Sequence, residues 1–171
     1  MDATRGSEPT PMKNRTTVER KSDRELVVTR TVNGPARMVF EAWTRPELFK
    51  QWWVPKSMGM FLRSCEMDVR VGGRYRFEFG HGAAKPMAFF GRYIEVAPHS
   101  RLVWTNEEDP EGGAVSTATF EEKGEKTLLV LHDLYPSKAA LDAAIASGST
   151  LGNDETFGQL DEFLVTLVAR R

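Results

Sequence analysis

The chain has 171 residues, 23 basic and 24 acidic side chains, a formal net charge of −1 and a single cysteine. The near-zero charge disfavours a nucleic-acid binder that neutralises phosphates, and one cysteine cannot form the internal disulfides of a small secreted scaffold. No apolar run reaches the roughly 20 residues that span a bilayer, and the N-terminus lacks a signal sequence, so a soluble cytoplasmic protein is predicted.

The first segment of the chain is polar. Residues 1–23 contain few apolar side chains, and every aromatic residue lies from Phe40 onward. Such a segment cannot offset its ordering entropy by burial. We therefore predict a disordered polar tail over 1–23 and a single domain over 24–171. The β-branched run at 26–32 predicts the first strand, which ends at the turn signal Asn33-Gly34.

Two short helices are predicted directly after this strand. Pro35 suits the first turn of a helix, because its missing N–H has no partner to lose there. Apolar residues then recur at helical spacing. Thr44 and Glu47 fit a capping box for a second helix, which should end before Pro55.

The middle of the chain has the pattern of strands joined by short turns. In the segment 74–79, Tyr75, Phe77 and Phe79 alternate with charged side chains, which predicts a strand with one buried face. Because the connections are short, the strands should form an antiparallel meander. The other predicted strands of this region lie at 61–69, 89–97, 101–106, 115–121 and 127–133.

The last third returns to helix. Ser137 is placed to cap a short helix of small residues over 138–146. Over 153–169, Phe157, Leu160 and Leu164 repeat at helical spacing, which predicts an amphipathic helix of about four turns. The sheet must bury its apolar face against that helix. The predicted fold class is therefore α+β.

Few residues are candidates for metal or thiol chemistry. His81, His99 and His132 lie far apart with no ligand spacing, and Cys65 has no cysteine partner. We therefore predict no metal and no cofactor. The sequence instead has a surplus of large apolar side chains. Two interpretations of this surplus stay open: a large ordinary core, or a hollow core that encloses a cavity for a hydrophobic molecule.

Several short sequence motifs follow one another along the chain. They are Gly34-Pro-Ala with Val39-Phe-Glu-Ala-Trp43, Gln51-Trp-Trp53, Asp68-x-Arg-x-Gly-Gly-Arg-Tyr75, and Gly91-x-Tyr-x-Glu-Val-x-Pro98 with Arg101-Leu-Val-x-Thr105. Over about residues 24–168 the chain resembles the activator-of-heat-shock-protein-90-ATPase homologue-like family. That family lies within the START/polyketide-cyclase/birch-allergen superfamily (SRPBCC).

The resemblance implies a helix-grip fold. A curved antiparallel sheet would wrap around the long C-terminal helix, and the two short helices after the first strand would close one end. It also implies a cavity between sheet and helix. Function does not follow from the fold, because the superfamily includes lipid carriers, cyclases and chaperone activators.

We predict a protein that binds a small hydrophobic ligand in this cavity without catalysis. Trp52 and Met60 would form part of the mouth. The face occupied by Phe90 stays open, since Gly91 can mark a bulge that shifts the alternation. The remaining predicted ligand-binding residues are Phe77, Phe79, Phe90, Trp104, Phe120 and His132 on the sheet, with Phe157, Leu160 and Leu164 on the helix.

Two alternatives stay open. A cyclase or hydrolase would use the same cavity with His132 and either Glu66 or Glu95 as acid and base. A protein-interaction or stress-response module would act through surface contacts, with a chaperone as partner. Eukaryotic chaperone activators carry an additional N-terminal domain, for which the chain has no room, so this alternative is less favoured. A homodimer is compatible with the sequence.

Overall fold

A computed structural model describes residues 15–59, 61–80, 87–108, 113–147 and 153–169. None of the helices in these ranges is long and apolar enough to cross a membrane. A short 3-10 turn covers Lys56–Met58. In chain order the other elements are β1 (Thr16–Arg20), β2 (Glu25–Asn33), α1 (Ala36–Thr44), α2 (Pro46–Phe49), β3 (Phe61–Met67), β4 (Arg74–Gly80), β5 (Met87–Ala97), β6 (Arg101–Thr105), β7 (Val115–Lys123), β8 (Lys126–Leu134), α3 (Lys138–Ala146) and α4 (Asn153–Ala169).

Within the described residues, eight strands form one antiparallel sheet in the order β1-β2-β8-β7-β6-β5-β4-β3. The strands from β3 to β8 run as a meander, and β2 joins the series by pairing with β8. The curved sheet, the C-terminal helix and the two short helices after β2 confirm the predicted α+β helix-grip fold.

The segment before residue 24 differs from the prediction. Thr16–Arg20 form the edge strand β1, which pairs with β2 from Thr16 opposite Arg30 to Arg20 opposite Leu26. Four of the five residues of β1 are exposed. Backbone pairing, rather than apolar burial, holds this strand, and a prediction based on burial therefore missed it.

Two predicted helix caps have different outcomes. Ser137 caps α3 as predicted, because its Oγ accepts a hydrogen bond from the backbone N–H of Ala140 at 3.0 Å. The capping box at Thr44 is wrong. The Thr44 hydroxyl instead donates to the carbonyl oxygen of Phe40 at 2.8 Å, within α1. Helix α2 begins at Pro46 without a side-chain cap, as proline at the first helical position has no N–H to satisfy.

Helix α4 packs on the half of the sheet that contains β1 and β2. Its residues Phe157, Leu160 and Leu164 are at most 1% exposed, and Val28 and Leu129 of the facing strands are fully buried. These side chains form one continuous hydrophobic core. The contact surface of α4 therefore serves as packing and contributes the driving force that holds the helix on the sheet.

An ion pair lies inside this interface. The Arg30 guanidinium contacts Asp161 Oδ2 at 2.8 Å through Nε and at 2.6 Å through Nη2. The other oxygen of Asp161 accepts the backbone N–H of Asn33 at 2.7 Å. Arg30 also reaches the Thr16 hydroxyl at 2.9 Å and Asp154 at 3.3 Å. One arginine therefore connects β1, β2 and α4.

Candidate functional site

An aromatic pocket lies on the other half of the sheet, between strands β3–β6 and the segment from α1 to Trp53. It is narrow, with a volume of about 50 Å³. None of the described side chains of α4 lines it. The lining residues are Trp43, Phe49, Trp53, Met67, Tyr75, Phe77, Phe89, Tyr93, Leu102, Trp104 and Asn106.

The strand alternation explains the sheet side of the aromatic pocket. Tyr75 and Phe77 of β4 point to the concave face and are 5% and 7% exposed. Met67 of β3 lies opposite Tyr75, and Phe89 of β5 lies opposite Phe77. Because side chains of paired residues share a face of the sheet, these four converge on the same space.

Trp43 of α1 covers the pocket from the helix side. Its ring lies 5.8 Å from that of Trp104 and 5.2 Å from that of Trp52. Among the described residues, its buried indole N–H has no hydrogen-bond acceptor. The indole of Trp52, by contrast, donates to the Ala42 carbonyl at 3.0 Å. An unpartnered buried donor costs about 1–3 kcal/mol, and this one belongs to a side chain that lines the aromatic pocket.

Gly91 is required by a close approach of two strands. A Cβ at this position would lie 2.1 Å from the Thr105 carbonyl oxygen and 2.9 Å from the Tyr75 hydroxyl. That hydroxyl donates to the same carbonyl at 2.6 Å. The bulge considered at Gly91 is absent there, since the register shift of β5 falls between Tyr93 and Glu95.

Both tyrosines of the aromatic pocket are neutral phenols. Burial raises the pKa of Tyr75 and that of Tyr93 well above the ordinary value. Neighbouring carboxylates, Glu108 first among them, raise the pKa of Tyr75 further. The aromatic pocket therefore contributes uncharged hydroxyl groups rather than a base.

Helix α4 holds the wall segment that carries Trp53. The Gln159 side-chain amide donates to the carbonyls of Trp52 and Val54, each at 2.9 Å, and its oxygen accepts the N–H of Lys56 at 2.8 Å. Gln159 therefore satisfies three backbone groups of a segment outside the regular elements. It positions the wall of the aromatic pocket without touching its interior.

Replacing Gln159 with alanine should loosen this wall. Three hydrogen bonds of about 1 kcal/mol each would be lost, so we expect the free energy of unfolding to fall by about 1–3 kcal/mol. The amide of Lys56 should exchange with deuterium at least about tenfold faster, since 1.4 kcal/mol is a factor of ten. Gln51→Ala is the matched control, because the exposed Gln51 makes one long contact of 3.5 Å. Unchanged exchange at Lys56 would contradict the assignment.

The structure distributes the predicted ligand-binding residues over several places. Phe77 and Trp104 line the aromatic pocket. Trp52 was expected at the mouth but is fully buried. Met60 lies outside the described residues. Phe77 also belongs to the buried core, as do the other predicted site residues Trp52, Phe79, Phe120, Phe157, Leu160 and Leu164.

Two residues expected inside the sheet lie on its outer face, and for them the prediction was wrong. His132 follows an inward-facing leucine on β8, and its Nε2 lies 2.9 Å from the Glu25 carboxylate. Phe90 lies opposite Arg76, whereas its neighbour Phe89 takes the inward position. In both cases a step of one residue reverses the face.

The groups considered for acid–base catalysis also point away from the aromatic pocket. Glu66 is exposed and lies opposite Arg76, and Glu95 forms an exposed ion pair with Arg101 at 3.1 Å. Burial raises the pKa of the Cys65 thiol to about 11, which leaves it protonated and poorly nucleophilic at neutral pH. Within the described ranges no group of three or more His, Cys, Asp or Glu residues is placed to hold a metal ion.

Most of the residues that line the aromatic pocket could not be identified from the sequence. Trp43 and Phe49 belong to α1 and α2, and Trp53 to the segment that follows them, a region for which the sequence predicts helices and not a pocket wall. A signal existed for Trp43, because it lies on the apolar stripe of a helix that must cover the sheet. The inward position of Phe89 follows from the same alternation that places Phe77.

Comparisons with known proteins agree with this architecture. A family model described as "Activator of Hsp90 ATPase homolog 1-like protein" matches residues 33–165. A crystal structure of a Rhodobacter sphaeroides protein superimposes with a TM-score of 0.81 at 22% identity, covering 89% of this chain and 99% of that chain.

Two further solved structures share the fold. Protein NE0264 of Nitrosomonas europaea gives a TM-score of 0.78 at 22% identity, over 88% of this chain and 99% of that one. CalU16 of Micromonospora echinospora gives 0.57 at 16% identity, over 92% and 88%. At such identities the likeness shows the fold alone. A search of curated proteins gives no match.

Proposed function

The chain belongs to the Activator of Hsp90 ATPase homolog 1-like family, and we propose that it binds a small, flat, apolar molecule in the aromatic pocket without chemical change. The single observation that carries this proposal is the unpartnered indole N–H of Trp43 in a wall made mostly of aromatic rings. Rings favour stacked and edge contacts with another ring, and the N–H favours a ligand with one acceptor atom.

The aromatic pocket is narrow. Its volume of about 50 Å³ is well below the roughly 150 Å³ of an apolar cavity that accepts benzene. The walls must therefore part when a ligand enters. Phe89 is 36% exposed, and the half-buried Met67 has an unbranched, adaptable side chain. These two residues form the part of the wall that we propose to move.

A matched pair of probes tests the proposal. Naphthalene and quinoline have the same shape, but only quinoline carries a ring nitrogen that can accept a hydrogen bond. One such bond contributes about 1 kcal/mol, so we expect quinoline to bind about fivefold more tightly. Titrations followed by nuclear magnetic resonance at neutral pH give both dissociation constants.

Two tryptophan variants separate the hydrogen bond from general apolar binding. Trp43→Phe keeps an aromatic ring and should abolish the preference for quinoline over naphthalene. Trp52→Phe is the control, since the Trp52 N–H is already bonded to a backbone carbonyl, and it should retain the preference. The proposal is rejected if neither probe binds up to its solubility limit.

The family description supports a second candidate, activation of the ATPase of an Hsp90-type chaperone. This function would use the protein surface and would not require an open aromatic pocket. Adding the protein to such a chaperone and measuring phosphate release tests it. An unchanged ATPase rate at a saturating ratio of the two proteins would exclude this candidate for the chaperone used.

A further inference from the structure

A second cavity, the polar cleft, lies between the ends of strands β6–β8 and helix α3. Its volume of about 430 Å³ falls within the range of roughly 300–1,000 Å³ typical of small-molecule sites. Among the described lining residues, Asn106 is the only one that it shares with the aromatic pocket. The residues that line it are Asn106, Glu108, Gly113, Ala114, Ser116, Asp133, Tyr135, Ala140, Ala143, Ala144 and Ser147.

The charged side chains among the described residues of the polar cleft are all acidic. Asp133 and Glu108 are acidic, and none of the described residues that line the cleft is a lysine, arginine or histidine. Glu108 accepts a hydrogen bond from the backbone N–H of Phe90 at 3.3 Å. A pocket with carboxylates and without a basic side chain attracts a cation and repels an anion.

Asp133 is the polar centre of this cleft. Its Oδ1 accepts the hydroxyl of Ser116 at 2.6 Å, and the Asn106 amide donates to that hydroxyl oxygen at 3.0 Å. Within the described part of the chain, no group donates to the second carboxylate oxygen. Burial raises the pKa of Asp133 above its ordinary value, because removal from water disfavours the charged carboxylate.

The other lining residues of the polar cleft are compatible with a cation that carries a compact apolar group. Ala140, Ala143 and Ala144 of α3 are small side chains that leave room beside the carboxylate. Tyr135 lines the same cleft, and burial and the nearby Asp133 raise its pKa to about 12. It is therefore a neutral ring at physiological pH, and an aromatic ring attracts a cation through its face.

We propose that the polar cleft binds a small organic cation, an ammonium group on a compact apolar body, with the ammonium donating to Asp133 and the body against α3. Apart from Asn106, this site has no described lining residue in common with the aromatic pocket. Binding of a cation here does not depend on whether the aromatic pocket binds a ligand.

Three probes of one shape and different charge test this proposal. Cyclohexylamine is a cation at neutral pH, cyclohexanol is neutral, and cyclohexanecarboxylate is an anion. Backbone amide shifts of Ser116, Asn106 and Ala140 report on the cleft during titration. We expect cyclohexylamine to shift these amides and to bind at least tenfold more tightly than cyclohexanol, and we expect no binding of the carboxylate. Equal affinity for the amine and the alcohol would overturn the proposal.

Asp133→Asn should weaken cyclohexylamine binding at least tenfold. The pKa of Asp133 is higher in the folded than in the unfolded chain, so the ionised carboxylate lowers stability once the pH rises through the folded pKa. The variant should therefore be at least as stable as the wild type at neutral pH. Asp142→Asn is the matched control, because Asp142 of α3 pairs with Arg20 and Lys138 outside the cleft.

A second variant changes space rather than charge. Ala140→Leu adds a side chain that fills the cleft on a helix that tolerates leucine, and it should also weaken cyclohexylamine binding at least tenfold. Asp142→Asn should leave that affinity within twofold. Unchanged binding in both Asp133→Asn and Ala140→Leu would show that the amine binds elsewhere, which contradicts the proposal.

Discussion

Replacing Asp161 with alanine is expected to lower the free energy of unfolding by about 3–5 kcal/mol. Asp161 and Arg30 are 6% and 7% exposed, so the variant would leave a buried guanidinium without its main counter-ion. It would also remove the acceptor of the Asn33 backbone N–H. Removing one partner of a buried pair costs more than the pair contributes, because the remaining charge stays out of water.

Asp154→Ala is the matched control for this prediction. Asp154 contacts the same guanidinium at 3.3 Å, but its side chain is 78% exposed. Exposed ion pairs contribute about 0–1 kcal/mol, and the control should lose no more than that. Urea denaturation followed by tryptophan fluorescence measures both variants. Equal losses in the two would show that the buried pair does not hold α4 on the sheet.

Gly91→Ala is expected to destabilise the fold by about 3 kcal/mol, the upper part of the range for overpacking. The added methyl group would meet the Thr105 carbonyl oxygen, which is backbone and cannot rotate away. It would also displace the Tyr75 hydroxyl from that carbonyl. Strands β5 and β6 would separate locally, and the Tyr75 hydroxyl in the wall of the aromatic pocket would lose its position.

Gly158→Ala makes the same chemical change in a different setting. Gly158 lies inside α4, and a Cβ there would meet nothing within 4 Å. Alanine is a better helix former than glycine by about 1 kcal/mol, so this variant should be more stable than the wild type. A loss of stability in Gly91→Ala together with a gain in Gly158→Ala would support the close approach of the two strands at Gly91. A neutral Gly91→Ala would contradict it.

The sequence allowed the architecture to be predicted because periodicity and turns agreed with each other. The alternation of Tyr75, Phe77 and Phe79 identified β4 and its buried face. The spacing of Phe157, Leu160 and Leu164 identified α4 and the side it buries. Each pattern extends over several residues, so one irregular position does not change the conclusion.

Features that depend on a single position were harder to predict. The face of Phe90 and of His132 follows from the register of one strand, and a step of one residue reverses it. The edge strand β1 buries few apolar side chains, so composition gave no sign of it. At Thr44 the capping motif was present, but the hydroxyl bonds to the preceding turn instead.

The candidate site was predicted in part. A surplus of aromatic residues pointed to the interior, but composition does not separate rings that fill a core from rings that surround a pocket. Phe157 belongs to the first kind and Trp104 to the second. The unpaired N–H of Trp43 depends on the absence of a nearby acceptor in three dimensions, and no sequence pattern encodes that absence.

The most direct test of ligand binding in the aromatic pocket is the amide and indole spectrum of the ¹⁵N-labelled protein titrated with quinoline. The four tryptophans give separate indole N–H signals, and Trp43→Phe and Trp52→Phe assign the two that matter. If quinoline binds in the aromatic pocket, the signal of the Trp43 indole proton should shift downfield and reach a plateau as the proton forms a hydrogen bond. The chemical shift of the Trp52 indole proton should change little. A Trp43 signal that does not move at saturating quinoline would contradict the account.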